Sequence, residues 1–296
     1  MLLFMGKATT HTRWQLEVPQ LQEDALSDWL MANGASATYR DADPLNSFFA
    51  YFPPDTAIPD SSGLSVFDGV SLLKAETFAD EDWLEKSREG FGPIEAGRTF
   101  YIRPIWDQSA PPEGRMAIVV NPGLAFGTGG HETTRLCMGL LEDLAQLSPN
   151  GQLEGPILDI GAGTGILAFA AHLLGAENIA AMDIDPDCGP AMEEFIQMNT
   201  ADARHPAPFA PLIGALEDLR PQKKYRLILA NILLETIQEL LPQMIQMLGP
   251  NAHLIASGIL VERQDEALLL LTVHGLRPIK VATEGEWVAI LAEIGA

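Results

Sequence analysis

Within the 296 residues, the segment Leu158-Asp159-Ile160-Gly161-Ala162-Gly163-Thr164-Gly165 does most to limit the folds available. A strand-compatible stretch, Pro156 to Ile160, apolar but for Asp159, opens into it, and an apolar, helix-compatible stretch, Ile166 to Leu174, follows it. That order predicts a buried strand, a tight glycine turn and a helix. Closely spaced glycines let the backbone turn sharply and approach a bound group, with amide N–H groups facing it at a helix N-terminus. Such units build parallel α/β sheets, which bind ligands at the carboxyl ends of their strands.

From about Phe100 the rest of the chain agrees with that architecture. Strands are predicted at Pro156 to Ile160, Ile179 to Ile184, Tyr225 to Ile232, Ala252 to Ser257, Pro278 to Ala282 and Trp287 to Ala292, the last two forming an antiparallel edge. Helices are predicted at Thr133 to Leu144, Ile166 to Leu174, Pro190 to Met198, Leu234 to Leu248 and Glu262 to Leu271. The expected class is α/β, a Rossmann-like sheet that is mostly parallel. The first ~80 residues read instead as a small α+β unit. It has extended segments at Thr12 to Val18, Ala37 to Arg40, Ser47 to Phe52 and Val70 to Thr77, and a helix after Pro19 that stops at Asn33-Gly34. A split βαβ sheet of ferredoxin-like type fits that order. Asp80 to Arg88 reads as a short polar connecting helix, which gives domains at 1–78 and 98–296 joined through 79–97.

Composition narrows the function. The chain is 47% hydrophobic and 20% charged with a net charge of −22, which excludes a disordered chain and argues against a phosphate backbone as partner. The charge is spread along the sequence, so it serves either solubility or attraction of a basic partner. Cys137 and Cys188 match no disulfide framework or metal spacing and read as packing residues in a reducing compartment. Met1 to Met5 is too short for a secretory leader, and His172, Glu177 and Asn178 interrupt the one long apolar stretch. A cytoplasmic location is expected, with no membrane contact.

The chemistry concentrates in a few positions. A dinucleotide fingerprint would need Gly or Ala where Ile166 stands, which weakens a pyrophosphate ligand. The pattern GxGxG after an acidic residue fits S-adenosylmethionine, whose methionine carboxylate is a smaller anion for the Gly161 and Gly163 loop amides. Asp159 can then orient the loop or the α-amino group. Asp183, at the end of the next strand, is placed to accept both hydroxyl hydrogens of a ribose, which serves NAD and S-adenosylmethionine equally. Asp185 reads as a helix cap. Asn231 ends the following strand, where it either meets the reactive end of the cofactor or caps the next helix. The sequence Asn231-Ile232-Leu233-Leu234 lacks the aromatic on which a flat base or amide would stack, so an aliphatic amine is the better substrate. His131-Glu132 lacks the second histidine of a zinc protease, and no other His/Cys cluster supplies ligands, so no metal is expected.

Six pieces taken together carry a resemblance: 126 to 134 (Phe126 through His131 to Thr134), 159 to 168, 183 to 186, 230 to 233, 257 to 260 and 285 to 287. In that order they resemble the PrmA family, methyltransferases of the large-subunit ribosomal protein L-eleven (L11). The resemblance implies a class I methyltransferase domain that holds S-adenosylmethionine at Thr134, Gly161, Asp183 and Asn231, with Phe126 packed on the cofactor. It implies transfer of methyl groups to lysine side chains and the N-terminal amine of that basic protein, free or on the large subunit. It also implies that residues 1–78 recognise this substrate. Ala162 and Thr164 depart from the residues usual in the loop without removing a polar contact. A monomer with no direct nucleic-acid recognition is expected. The alternatives are another S-adenosylmethionine-dependent N-methyltransferase and an NAD-dependent oxidoreductase, the latter opposed by Ile166.

Overall fold

Two units make up the chain, residues 1–91 and 92–296. The computed structural model describes residues 10–19, 22–35, 37–40, 48–54, 56–79, 92–121, 129–200, 208–219 and 225–295. The first unit contains β1 (Thr10–Glu17), α1 (Glu23–Ala32), β2 (Ala37–Arg40), β3 (Phe48–Phe52) and β4 (Ser71–Ala79). Its antiparallel sheet runs β2-β3-β1-β4, so β3 lies between the two strands that α1 connects, the expected ferredoxin-like order. Alternation along β1 turns Thr12, Trp14 and Leu16 inward, and Trp14 and Leu16 join Leu26, Leu30 and Phe52 in an apolar core. α1 stops where predicted: the Asn33 side-chain amide donates to Trp29 O at 2.8 Å, and Gly34 takes φ +96°. Before β4 the described chain carries a 3₁₀ turn, Ser61–Val66, where a full ferredoxin-like unit has its second helix. The predicted connector helix at Asp80 to Arg88 lies outside the described residues.

The second unit begins with a three-stranded sheet that the sequence did not announce: β5 (Ile94–Ala96), β6 (Phe100–Pro104) and β7 (Met116–Val120). β5 pairs with β6 antiparallel and β6 with β7 parallel. α2 (Glu132–Leu147) follows, then β8 (Ile157–Ile160), α3 (Ile166–Leu173), β9 (Ile179–Asp183), α4 (Cys188–Asn199) and β10 (Ala210–Ile213). The chain continues through β11 (Tyr225–Asn231), α5 (Leu234–Met247), β12 (Leu248–Leu260), α6 (Gln264–Val273), β13 (Leu276–Glu284) and β14 (Trp287–Ile294). The seven strands lie in the order β10-β9-β8-β11-β12-β14-β13. The first five run parallel, and β14 enters antiparallel between β12 and β13.

This order reverses direction between β8 and β11, which makes their carboxyl ends the switch point where such sheets open a crevice. Two apolar layers cover the sheet, and strand alternation divides the side chains between them. Ile157, Leu227 and Leu229 face one layer, and Leu158, Ile160, Ile228 and Ala230 face the other. α2 supplies Leu136, Leu140, Leu141 and Leu144 to the first layer at helical spacing, each burial contributing roughly 1.5–3 kcal/mol. The α4 residue Asn199 ties down β7 as a strand would, accepting from Val119 N and donating to Val119 O, both at 2.8 Å.

Candidate active site

At the switch point a cavity of about 750 Å³ opens, within the range of small-molecule and cofactor sites. Thr134, Gly161, Gly163, Asp183 and Asn231 all line it. They come from the first turn of α2, the loop after β8 and the ends of β9 and β11. Phe126 lies outside the described residues.

The loop after β8 needs its glycines. Gly161, Gly163 and Gly165 have φ of +67°, +56° and +82°. A Cβ on Gly161 would stand 2.4 Å from Ile232 Cγ2, and one on Gly165 2.5 Å from the Phe209 ring. The loop therefore nests between β11's exit and the segment before β10. Its Gly163 N–H donates to Asp183 Oδ2 at 2.9 Å, while Asp185 N–H donates to Asp183 Oδ1 at 3.1 Å. Both carboxylate oxygens are thus fixed in direction, each keeping acceptor capacity for a hydroxyl. Asp185 in turn accepts from Asp187 N at 2.9 Å, an Asx turn ahead of α4; the helix N-cap itself is Asp187, with no side-chain capping bond, and not Asp185 as the sequence suggests.

Asp159 has a more structural role than the sequence assigns it. Alternation along β8 places its side chain under α3, where Oδ2 accepts from Ala168 N at 3.1 Å. Gly165, the residue at that helix start, has no side chain to do so. Burial pushes the Asp159 carboxyl up to about 7; the Ala168 bond opposes the shift and Asp183 adds to it. Cys188 also lines the cavity, but burial and Asp183 raise its thiol to about 11, and burial raises Cys137 to about 12. Neither supplies a thiolate at neutral pH.

Asn231 stands beside Ser257 of β12 in the parallel register. The turn that follows it packs on Gly258, whose Cβ would come within 2.3 Å of Ile232 O. α5 begins three residues later with Leu233 at its N-cap and no side-chain capping bond, so the helix-cap role for Asn231 has no support. Leu234 turns into the core, 2% exposed, and does not line the cavity. Among the apolar side chains that do line it, Leu233 and Ile184 are open to solvent, 63% and 75% exposed. Two such residues open to solvent on a cavity wall suit the faces of a flat apolar group.

Another pair on the wall has no role assigned from the sequence. His131 and Trp287 both line the cavity, their rings edge to face with centroids 5.0 Å apart. His131 is the N-cap of α2, its Nδ1 accepting from Thr133 N at 3.3 Å. Arg135 holds the two segments together: its Nε and Nη2 donate to Glu284 at 3.0 and 2.6 Å, and its Nη1 donates to Gly130 O. Proximity of a residue before α2 to one opening β14 follows only from the sheet order, so no local pattern could have revealed it. Among the described residues no group of three or more His, Cys, Asp or Glu side chains could hold a metal ion.

The strand order, the glycine loop at the switch point, the acid at the end of β9 and the amide at the end of β11 define a Rossmann-like class I methyltransferase domain. Comparison with known proteins narrows this further. Residues 45–294 match the family Ribosomal protein L11 methyltransferase (PrmA), and the chain belongs to that family. It is 33% identical to the Ribosomal protein L11 methyltransferase of Geobacter metallireducens over 94% of this chain and 96% of that one. With the protein of the same name from Trichlorobacter lovleyi it shares 41% identity over 74% of this chain and 68% of that one. A crystal structure of ribosomal protein L11 methylase from Lactobacillus delbrueckii subsp. bulgaricus superposes with a TM-score of 0.61 at 30% identity, covering 70% of this chain and all of that one.

Proposed function

We propose that this protein transfers methyl groups from S-adenosylmethionine to lysine side-chain and N-terminal amines of the large-subunit ribosomal protein L11. The observation that carries the reading is that Thr134, Gly161, Gly163, Asp183 and Asn231, drawn from four separate elements of a PrmA-family chain, converge on one cavity. The residues suit the cofactor: the α2 N-terminus beside the glycine loop for its carboxylate, Asp183, aimed by the Gly163 N–H, for the ribose hydroxyls, and Ile184 with Leu233 for the adenine faces.

When bound, S-adenosylmethionine supplies an electrophilic methyl on a sulfonium, so the chain need provide no nucleophile of its own. The chain's tasks are alignment and exclusion of water. Asn231's amide oxygen can accept an N–H from the incoming amine and turn its lone pair toward the methyl. Lysine's reference pKa of ~10.4 means that partial desolvation in the cavity helps the amine shed its proton. The first unit recruits the substrate and the second performs the transfer, in a cytoplasmic monomer. Among the described residues no helix is long and apolar enough to cross a membrane. The test is mass spectrometry of purified L11 after incubation with enzyme and methyl donor. Mass gains in steps of one methyl, on amines, are expected; unmodified L11 under conditions where the donor binds would refute the assignment.

A further inference from the structure

The end of the cavity formed by β12 and β14 is built in a way that the five cofactor positions do not explain. β11 and β12 run parallel, with Asn231 beside Ser257. β14 enters in the opposite sense, so its first residue, Trp287, pairs with Leu260 near the carboxyl end of β12. The Ser257 hydroxyl donates to Val288 O at 3.0 Å, which ties the start of β14 to the strand next to Asn231. A second bond, Val261 N to Glu286 O at 2.9 Å, fixes the turn just before Trp287. Trp287 is thereby held at the same edge of the sheet as Asn231, and His131 packs against it from the start of α2.

We propose that Trp287 and His131 form the wall that receives the substrate's cationic amine. An indole is the best natural partner for an ammonium, because its ring face carries the negative part of the quadrupole and contacts a cation without needing an N–H. Such a wall therefore holds a primary ammonium and one already bearing methyl groups alike, whereas a hydroxyl or carboxamide gains little from it. His131 holds the indole in place: its Nδ1 caps α2 at Thr133 N, and its ring meets the indole edge to face. This deepens the reading of the chain as an amine methyltransferase and rests on it for the identity of the substrate.

Two measurements test the wall, one of which does not depend on turnover. The first titrates tetramethylammonium into the full chain with S-adenosylhomocysteine bound and follows the heat of binding by calorimetry, with uncharged tert-butanol as control. The expected result is saturable binding of the cation alone, at least tenfold weaker in Trp287→Leu and largely restored in Trp287→Phe. Binding that is absent, or equal in the parent and Trp287→Leu, overturns the proposal. The second compares methylation of L11 by these variants and by His131→Gln. The Michaelis constant for L11 should rise about tenfold in Trp287→Leu while the dissociation constant for S-adenosylhomocysteine stays within about threefold of the parent. A parallel loss of cofactor affinity would make Trp287 part of the cofactor wall and refute its role toward the amine. If the parent fails to methylate L11 and yet shows Trp287-dependent binding of tetramethylammonium, the substrate assignment falls and the cation wall stands.

Discussion

Asp183 and Asp159 are two carboxylates of one cavity with opposite surroundings. Asp183 sits at a strand end with its oxygens aimed by the amides of Gly163 and Asp185. Removing it takes away the acceptor for a ribose and also lets go of the Gly163 loop. At about 1.5–3 kcal/mol per hydrogen bond to a charged group, Asp183→Ala should weaken S-adenosylhomocysteine binding by roughly ten- to a hundredfold or more in a folded protein. Calorimetry decides, and an unchanged dissociation constant removes Asp183 from the site. Asp159 is enclosed, with its carboxyl raised from 3.8 to about 7, so it marks stability more than binding. Between those values the folded protein holds a proton that the unfolded chain has lost, and stability falls as pH rises through that window. The shift corresponds to up to about 4 kcal/mol. Asp159→Asn keeps an acceptor for Ala168 N and has no charge to bury. Its stability relative to the parent should therefore improve by about 2–4 kcal/mol between pH 4 and pH 8 in urea titrations. A difference that does not change with pH would contradict the buried-carboxyl account.

Among the elements, those that hold the site were mostly readable in advance, and those that brace it were not. β8, β9 and β11 are enclosed on both faces, so they appear as short, mostly apolar runs, interrupted inside only by Asp159 in β8 and Arg226 in β11, and fall within a residue of the expected bounds. β10 is also apolar, Ala210-Pro211-Leu212-Ile213, but it is only four residues long, carries a proline that argues against a strand, and lies at the sheet edge with no buried residue. β12 extends to both sides of its predicted span, and its first residue, Leu248, is followed by Gly249, Pro250 and Asn251, residues that normally mark a turn; Asn251 takes φ +52° there. The β5–β6 hairpin is held by a residue far away in sequence. Glu142 of α2, 3% exposed, accepts from Arg98 N at 2.9 Å with each oxygen and from Thr99 N at 2.7 Å. Gly97 fits beside it only because it lacks a Cβ, which would lie 2.6 Å from Glu142 Oε1. A buried acid in the middle of an amphipathic helix signals a partner, but its sequence does not say which one. Glu142→Ala strands two amide donors and should cost about 2–4 kcal/mol in chemical denaturation, with Glu142→Gln costing less because Oε1 still accepts. Equal stability of parent and Ala variant would show that the hairpin is not held from α2.

On the scale of the whole molecule, each unit has its own apolar core. Trp14, Leu26 and Phe52 belong to the first, and both layers on the seven-stranded sheet are built from residues beyond 91. The cavity residues also lie wholly in the second unit. A chain starting at Gly92 should therefore fold and bind S-adenosylhomocysteine with an affinity within about threefold of the parent. What it should lose is efficient methylation of intact L11. Amines at different places on one folded substrate reach a single cavity only if the substrate is presented in more than one orientation. A recruiting domain separate from the catalytic one permits that. The net charge of −22 supplies general attraction to a basic protein, and salt weakens that part for parent and truncated chain alike. Recruitment by the first unit should instead appear as a fall of at least tenfold in kcat/KM for L11 on truncation, at any fixed ionic strength. A short lysine peptide, which needs no recruitment, should be methylated at similar rates by both chains. If the truncated protein folds and methylates intact L11 at the parent rate, the first unit does not recruit the substrate.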